Sequence, residues 1–152
     1  MKAPFHHRNL PHLLLYARET LMQHFRPVLK EAGLTEQQWR VLRTLSDTGA
    51  IEPNQIARHC QLLGPSLTRI LAGMEESGLI VRARSSEDQR RQKISLTAKS
   101  RKLIERMRPK IDQKYQELEA MIGKPLLDRL YRDIDEAVTL VRQDKQDKGS
   151  SI

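Results

Sequence analysis

The sequence has 152 residues, one cysteine and a formal net charge of +8, with 38% hydrophobic and 30% charged residues. That length admits one compact unit with helical appendages and not two independent enzymes, and the lone Cys60 excludes an intrachain disulfide and a multi-cysteine metal cage. No apolar run reaches the ~20 residues of a membrane span, and the start Met1 to His12 lacks the apolar middle of a secretory signal, so a soluble, cytoplasmic protein is expected.

From Leu10 to about Ala32, Leu10, Leu13, Leu14, Ala17, Leu21 and Phe25 recur at three- and four-residue spacings, the pattern of one helical face closed by Gly33. Thr35 and Gln38 have the spacing of a capping box, which predicts a second helix carrying Trp39, Val41, Leu42 and Leu45 to about Thr48. Pro53 opens a short third helix with Ile56, Ala57 and Cys60 on one face. After Gln61-Leu62-Leu63-Gly64, Pro65 starts a fourth with Leu67, Ile70, Leu71 and Met74, ending at Gly78. Two short helices joined by a tight turn make a helix-turn-helix candidate.

Leu79 to Arg84 and Gln92 to Leu96 are predicted strands of a hairpin with the polar tip Ser85 to Arg91. Thr97 can cap a long helix through Leu103, Ile104, Met107, Ile111, Tyr115, Leu118, Met121 and Ile122. Gly123-Lys124-Pro125 breaks the pattern before a last helix with Leu126, Leu127, Leu130, Ile134, Val138 and Val141. Residues 144–152 are expected to be a disordered tail.

The charge is concentrated. Residues 1–81 hold nine Lys/Arg against seven Asp/Glu, residues 82–102 eight against two, and residues 103–152 ten against ten. A solvated surface interleaves its signs, as the last stretch does, so the 82–102 segment points to a polyanion. On the fourth helix the face opposite the apolar stripe carries Ser66, Thr68, Arg69, Ala72 and Gly73, all small but for the one arginine, which suits close approach to a DNA major groove. The hairpin tip is placed to reach a minor groove while Arg82, Lys93 and Lys99 neutralise phosphates.

The run Leu63 to Arg69, then Met74 to Arg82, then Asp88-Gln89-Arg90 and Ile94-Ser95-Leu96-Thr97, resembles the MarR family of transcription regulators in order and spacing, from about Leu10 to Val141. One departure is Ser100, where the family usually has glycine. The resemblance implies a fold dominated by helices with a small wing: a winged helix-turn-helix lobe (34–98) with dimerisation helices at 1–33 and 99–143, forming a triangular homodimer on a pseudo-palindromic operator. It implies that Ser66, Thr68 and Arg69 read or clamp the major groove, that Arg82 holds the backbone, that Arg90 enters the minor groove, and that Asp88 orients the wing arginines Arg90 and Arg91. The N-terminal run His6 to His12 is similar to aromatic-acid-responsive members, which implies a repressor of an aromatic-acid catabolic operon released by a small phenolic or aromatic carboxylate.

An effector site is expected at His12 and Arg18 on the first helix and Trp39, Arg40 and Arg43 on the second. An arginine takes a carboxylate in a bidentate pair, an indole stacks on a ring and a histidine meets a phenolic hydroxyl. Relatives that bind salicylate-like acids often do so between these helices, and Arg18, Trp39 and Arg43 fall at matching positions. The plainer reading leaves Trp39 in the core and the arginines solvated. Cys60 reads as a packed core residue, with oxidant sensing as the alternative, and His6, His7 and His12 lack the further ligands of a metal site. With no phosphate-binding glycine loop, Gly-x-Ser-x-Gly or His-Glu-x-x-His, neither catalysis nor a cofactor is expected. The competing class is a sequence-independent architectural DNA-binding protein.

Overall fold

The computed structural model describes residues 4–84, 87–88 and 90–150. Its elements are α1 (Leu10–Glu31), α2 (Glu36–Thr48), α3 (Pro53–Cys60), α4 (Gly64–Glu76), β1 (Ile80–Arg84), β2 (Gln92–Leu96), α5 (Ala98–Ile122) and α6 (Lys124–Gly149). They divide into two compact units, residues 1–111 and 112–152, with α5 running from the first into the second.

Local chemistry sets where the helices begin. Asn9 Oδ1 accepts the His12 amide at 3.0 Å, with Pro11 in a first turn where a missing N–H is harmless. The expected capping box is formed: Gln38 N donates to Thr35 Oγ1 at 3.1 Å and Thr35 N to Gln38 Oε1 at 3.0 Å. At α3, Glu52 N donates to Gln55 Oε1 at 2.9 Å. The turn from α3 to α4 passes through Gln61 at φ 53°, the one non-glycine residue in the left-handed region among the described residues. Its side-chain amide offsets part of that strain by donating to the Arg58 carbonyl at 2.6 Å.

The core of the first unit gathers Val41, Leu42 and Leu45 of α2, Ile56 and Cys60 of α3, Leu67, Leu71 and Met74 of α4, Ile80 and Ile94 of the wing and Ile104 and Met107 of α5, all buried in one cluster. Each helix contributes one face at three- and four-residue spacing, as the periodicity predicts. The strands pair antiparallel, Ile80 opposite Leu96 and Arg84 opposite Gln92. A further rung joins the wing to the α2–α3 connection, with Ile94 N donating to Ile51 O at 2.8 Å and Ile51 N to Ile94 O at 3.3 Å.

Ser100, the departure from the family pattern, is fully buried. Ser100 N donates to Thr97 Oγ1 at 3.1 Å and Thr97 N to Ser100 Oγ at 2.9 Å, a capping box with serine as the returning partner. Thr97 Oγ1 also lies 2.7 Å from the Gly78 carbonyl, so the start of α5 is tied to the end of α4.

Residues 144–149, expected to be disordered, instead continue α6 to Gly149. Their polar composition gives no apolar period, but Lys148 and Asp144 pair at i,i+4 spacing, 2.8 Å apart, and support the helix from its surface. No helix among the described residues is long and apolar enough to cross a membrane. Two rows of large apolar side chains stay exposed: Leu10, Leu14, Leu15, Tyr16 and Leu21 on α1, and Leu126, Leu130, Ile134, Val138 and Val141 on α6.

Candidate nucleic-acid interface

Burial of Leu67, Leu71 and Met74 orients α4 and leaves Ser66, Thr68, Arg69 and Ala72 exposed on its other side. Thr68 Oγ1 donates to the Gly64 carbonyl at 3.0 Å, which fixes the hydroxyl and leaves its lone pairs as acceptors. Arg69 meets no carboxylate among the described residues. At the other end of α4, Arg82 Nε lies 3.5 Å from Glu75 Oε2, a spacing of attraction and not of a hydrogen bond, and this ties the base of the wing to the helix it follows.

The wing tip falls partly on residues 85, 86 and 89, outside the described ones. Within the rest, Asp88 acts on backbone: its Oδ1 accepts the Arg90 amide at 3.0 Å and its carbonyl accepts the Arg91 amide at 3.0 Å. This is the turn an aspartate makes with the residue two positions on. The Arg90 guanidinium is exposed without a carboxylate partner among the described residues, whereas Arg91 Nε lies 3.6 Å from Glu52 Oε1. Ser66, Thr68, Arg69, Arg90 and Arg91 are thus all exposed on two consecutive structural devices, α4 and the wing, and Arg82 sits half-buried at their junction.

The expected effector residues have different surroundings. Arg18 donates to Glu36 Oε2 at 3.1 Å. Arg26 braces the same carboxylate through Nε at 2.6 Å and holds Glu19 with both terminal nitrogens at 2.6 and 2.7 Å. Burial pushes the Glu36 carboxyl up, but hydrogen bonds from Arg26 and Arg18 outweigh it and leave the group below the usual carboxylate range. The hydrogen bond from Arg26 lowers Glu19 likewise, and Arg26 is raised in return. Trp39 is half-buried against the core. Arg40 donates from Nη1 to the Cys60 carbonyl at 2.7 Å, holding the C-terminal end of α3. Arg43 is exposed and pairs with Asp47 at 3.3 Å. His12 is exposed and uses its backbone amide in the α1 cap.

Arg26, Glu19 and Glu36 did not enter the sequence reading. The signal was present: Glu19 and Arg26 are seven residues apart, two helical turns on one face. Cys60 is buried with Sγ 3.4 Å from Thr44 Oγ1, in keeping with its packing role. No group of three or more histidine, cysteine or acidic residues among the described ones is placed to hold a metal.

Residues 34–91 match the model of the MarR family. The chain is similar to the homoprotocatechuate degradative operon repressor of Escherichia coli, 36% identical over 141 residues that span 93% of this chain and 95% of that protein. It is similar also to the HTH-type transcriptional regulator FarR of Neisseria gonorrhoeae, 41% identical over 73% of this chain and 76% of the relative. Among solved structures, NadR in complex with 4-hydroxyphenylacetate superposes with a TM-score of 0.79 at 37% identity, over 90% of this chain and 97% of that one.

Proposed function

The chain belongs to the MarR family of winged-helix transcription regulators, which are not enzymes, and from that premise we propose that it is a homodimeric repressor of an aromatic-acid catabolic operon. A small phenolic or aromatic carboxylate releases it from its operator. The observation that carries the reading is the pair of arginines, Arg69 on α4 and Arg90 on the wing, exposed without a carboxylate partner among the described residues, where a groove-binding helix and a minor-groove wing would present them.

In this reading α4 enters the major groove, with Ser66 and Thr68 at phosphates or base edges and Arg69 at a guanine edge. Arg90 enters the minor groove on a turn shaped by Asp88, and Arg91 and Arg82 neutralise phosphates from the wing and its base. Residues 34–98 form the DNA lobe, and a second copy covers the exposed apolar rows of α1 (within 1–33) and of α6 (within 99–143). Two lobes related by a two-fold axis meet half-sites one DNA turn, ~34 Å, or a multiple apart. The protein works in the cytoplasm, where its operator is.

The effector sits beside α1 and α2, with Arg18 and Arg43 as carboxylate partners, Trp39 as the ring platform and His12 as a partner for a phenolic hydroxyl. Arg40 supports the site from behind by fixing α3. This extends to the present chain what holds for proteins similar to it, a homoprotocatechuate degradative operon repressor and NadR in complex with 4-hydroxyphenylacetate. Release requires that the ligand favour the lobe separation that does not fit the operator, since only a difference in affinity between two states shifts their balance.

The test is a titration of 4-hydroxyphenylacetate and 3,4-dihydroxyphenylacetate into protein bound to operator DNA and to random DNA of the same length. Expected are tight binding to operator alone and release by at least one of the acids, with Arg18→Ala needing a higher acid concentration. Equal affinity for both DNAs would instead favour a sequence-independent architectural protein.

A further inference from the structure

Two adjacent leucines in the α3–α4 turn have opposite surroundings. Leu62 is half-buried against the core, whereas Leu63 is 79% exposed. Four residues before buried Leu67, Leu63 would share its face if it were helical. Its backbone is extended instead, at φ −71° and ψ 146°, and the side chain leaves the helix face.

Leu63 is also the N-cap of α4, and that helix has no side-chain cap. Serine, threonine, aspartate or asparagine at this position would accept a first-turn amide and stabilise the helix. Leucine forgoes that bond, so the stability of the helix does not account for it. In the chain it stands between Arg58 and His59 of the last turn of α3 and Ser66, Thr68 and Arg69 of α4, all exposed and suited to phosphates and polar base edges. In a major groove the apolar group that base pairs present is the 5-methyl of thymine.

We propose that Leu63 is a specificity residue that packs on the 5-methyl group of one thymine in each operator half-site. The inference rests on the reading of α4 as the groove-binding helix and adds to it a base preference that no hydrogen bond carries.

The experiment first selects operator from a random-sequence pool with the wild-type protein. Duplexes are then made in which symmetric thymine pairs are replaced by deoxyuridine, which removes the methyl and keeps every hydrogen-bonding group. Wild type is expected to lose about fourfold in affinity for each contacted methyl removed. Leu63→Ala should lose a similar factor on natural operator and nothing further on that one substituted duplex, and Leu63→Met should keep the methyl dependence. Leu63→Ser, which supplies a cap, should raise Tm by roughly 2–4 °C while operator affinity falls. The proposal is overturned if Leu63→Ala or Leu63→Ser binds operator as wild type does, or if Leu63→Ala stays as sensitive as wild type to loss of every thymine methyl. Arg69→Ala separates the two levels: if it is weak while Leu63→Ala is unaffected, only the thymine contact is lost, and if both bind normally the reading of α4 fails with it.

Discussion

The arginines of α1 and those of α4 and the wing are the same residue in opposite settings. On α1, Arg18 and Arg26 share Glu36, and Arg26 holds Glu19 besides, with every contact between 2.6 and 3.1 Å. On α4 and the wing, Arg69 and Arg90 meet no carboxylate among the described residues, and the contacts of Arg82 and Arg91 are long, at 3.5 and 3.6 Å. Acidic residues are within chain reach in both places, since Glu75, Glu76, Glu87 and Asp88 flank the second set. Position decides the difference: Glu75 and Glu76 lie in the last turn of α4, and Asp88 faces the backbone of the wing. The first set braces one helix against the next, with Arg18 committing a single nitrogen, Nη2, to Glu36 and keeping its other donors for the proposed effector, while the second keeps its donors for DNA.

The largest effect expected is on the unpaired set. Arg69→Ala and Arg90→Ala should each leave Tm nearly unchanged and weaken operator binding, Arg69 by about 1–3 kcal/mol with relaxed base preference and Arg90 with a shallower salt dependence. Operator Kd values at several salt concentrations check this, and a large drop in Tm would move these arginines into the bracing class. Between the two sets, Ser100→Ala strips the half-buried Thr97 amide of its acceptor and should cost about 1–2 kcal/mol, a fall in Tm of roughly 2–8 °C by thermal melting.

Arg26→Met should lower Tm only slightly, because its side chain is 39% exposed and its ion pairs are screened, and should leave operator Kd unchanged. The pH dependence of the brace is smaller again. The carboxyls of Glu19 and Glu36 are lowered in the folded protein, so their contribution is present above the ordinary carboxylate value and is lost as pH falls through the lowered one. Melting curves from about pH 6 to pH 3 should therefore fall less steeply for Glu36→Gln than for wild type. Smallest of all, Arg43→Ala removes an exposed i,i+4 pair with Asp47 and should shift stability by about 0.5 kcal/mol or less. A loss several times larger would place Arg43 with the bracing arginines.

Much of this was legible in the chain. Periodicity and local signals located every helix, because Thr35, Gln38, Pro53 and Gly78 act through neighbours a few residues away. The two strands were equally plain. What escaped depends on partners distant in sequence: Arg40 finds the Cys60 carbonyl twenty residues on, and Lys110 finds Glu31 at 2.6 Å across 79 residues. Ser100 looked like an anomaly beside the family's glycine until the returning bond to Thr97 gave it a purpose. The wing rung at Ile51 was invisible for another reason, since the three residues between Gly49 and Pro53 are too few to show an alternation. In the candidate interface, the residue types and their side of α4 could be read ahead, but whether an arginine was already engaged could not.

The rung between Ile51 and Ile94 bears on the thermodynamics of docking. A two-stranded ribbon alone is marginal in water and would have to be ordered at the moment it meets a duplex. Stitched to the α2–α3 connection by two hydrogen bonds and seated on fully buried Ile94, the base of this wing is ordered before any duplex arrives. The entropy loss falls on folding and not on association. Replacing Ile51 with proline, which removes the donor of one of those bonds, should therefore slow the formation of the complex more than it alters the contacts made once the complex has formed.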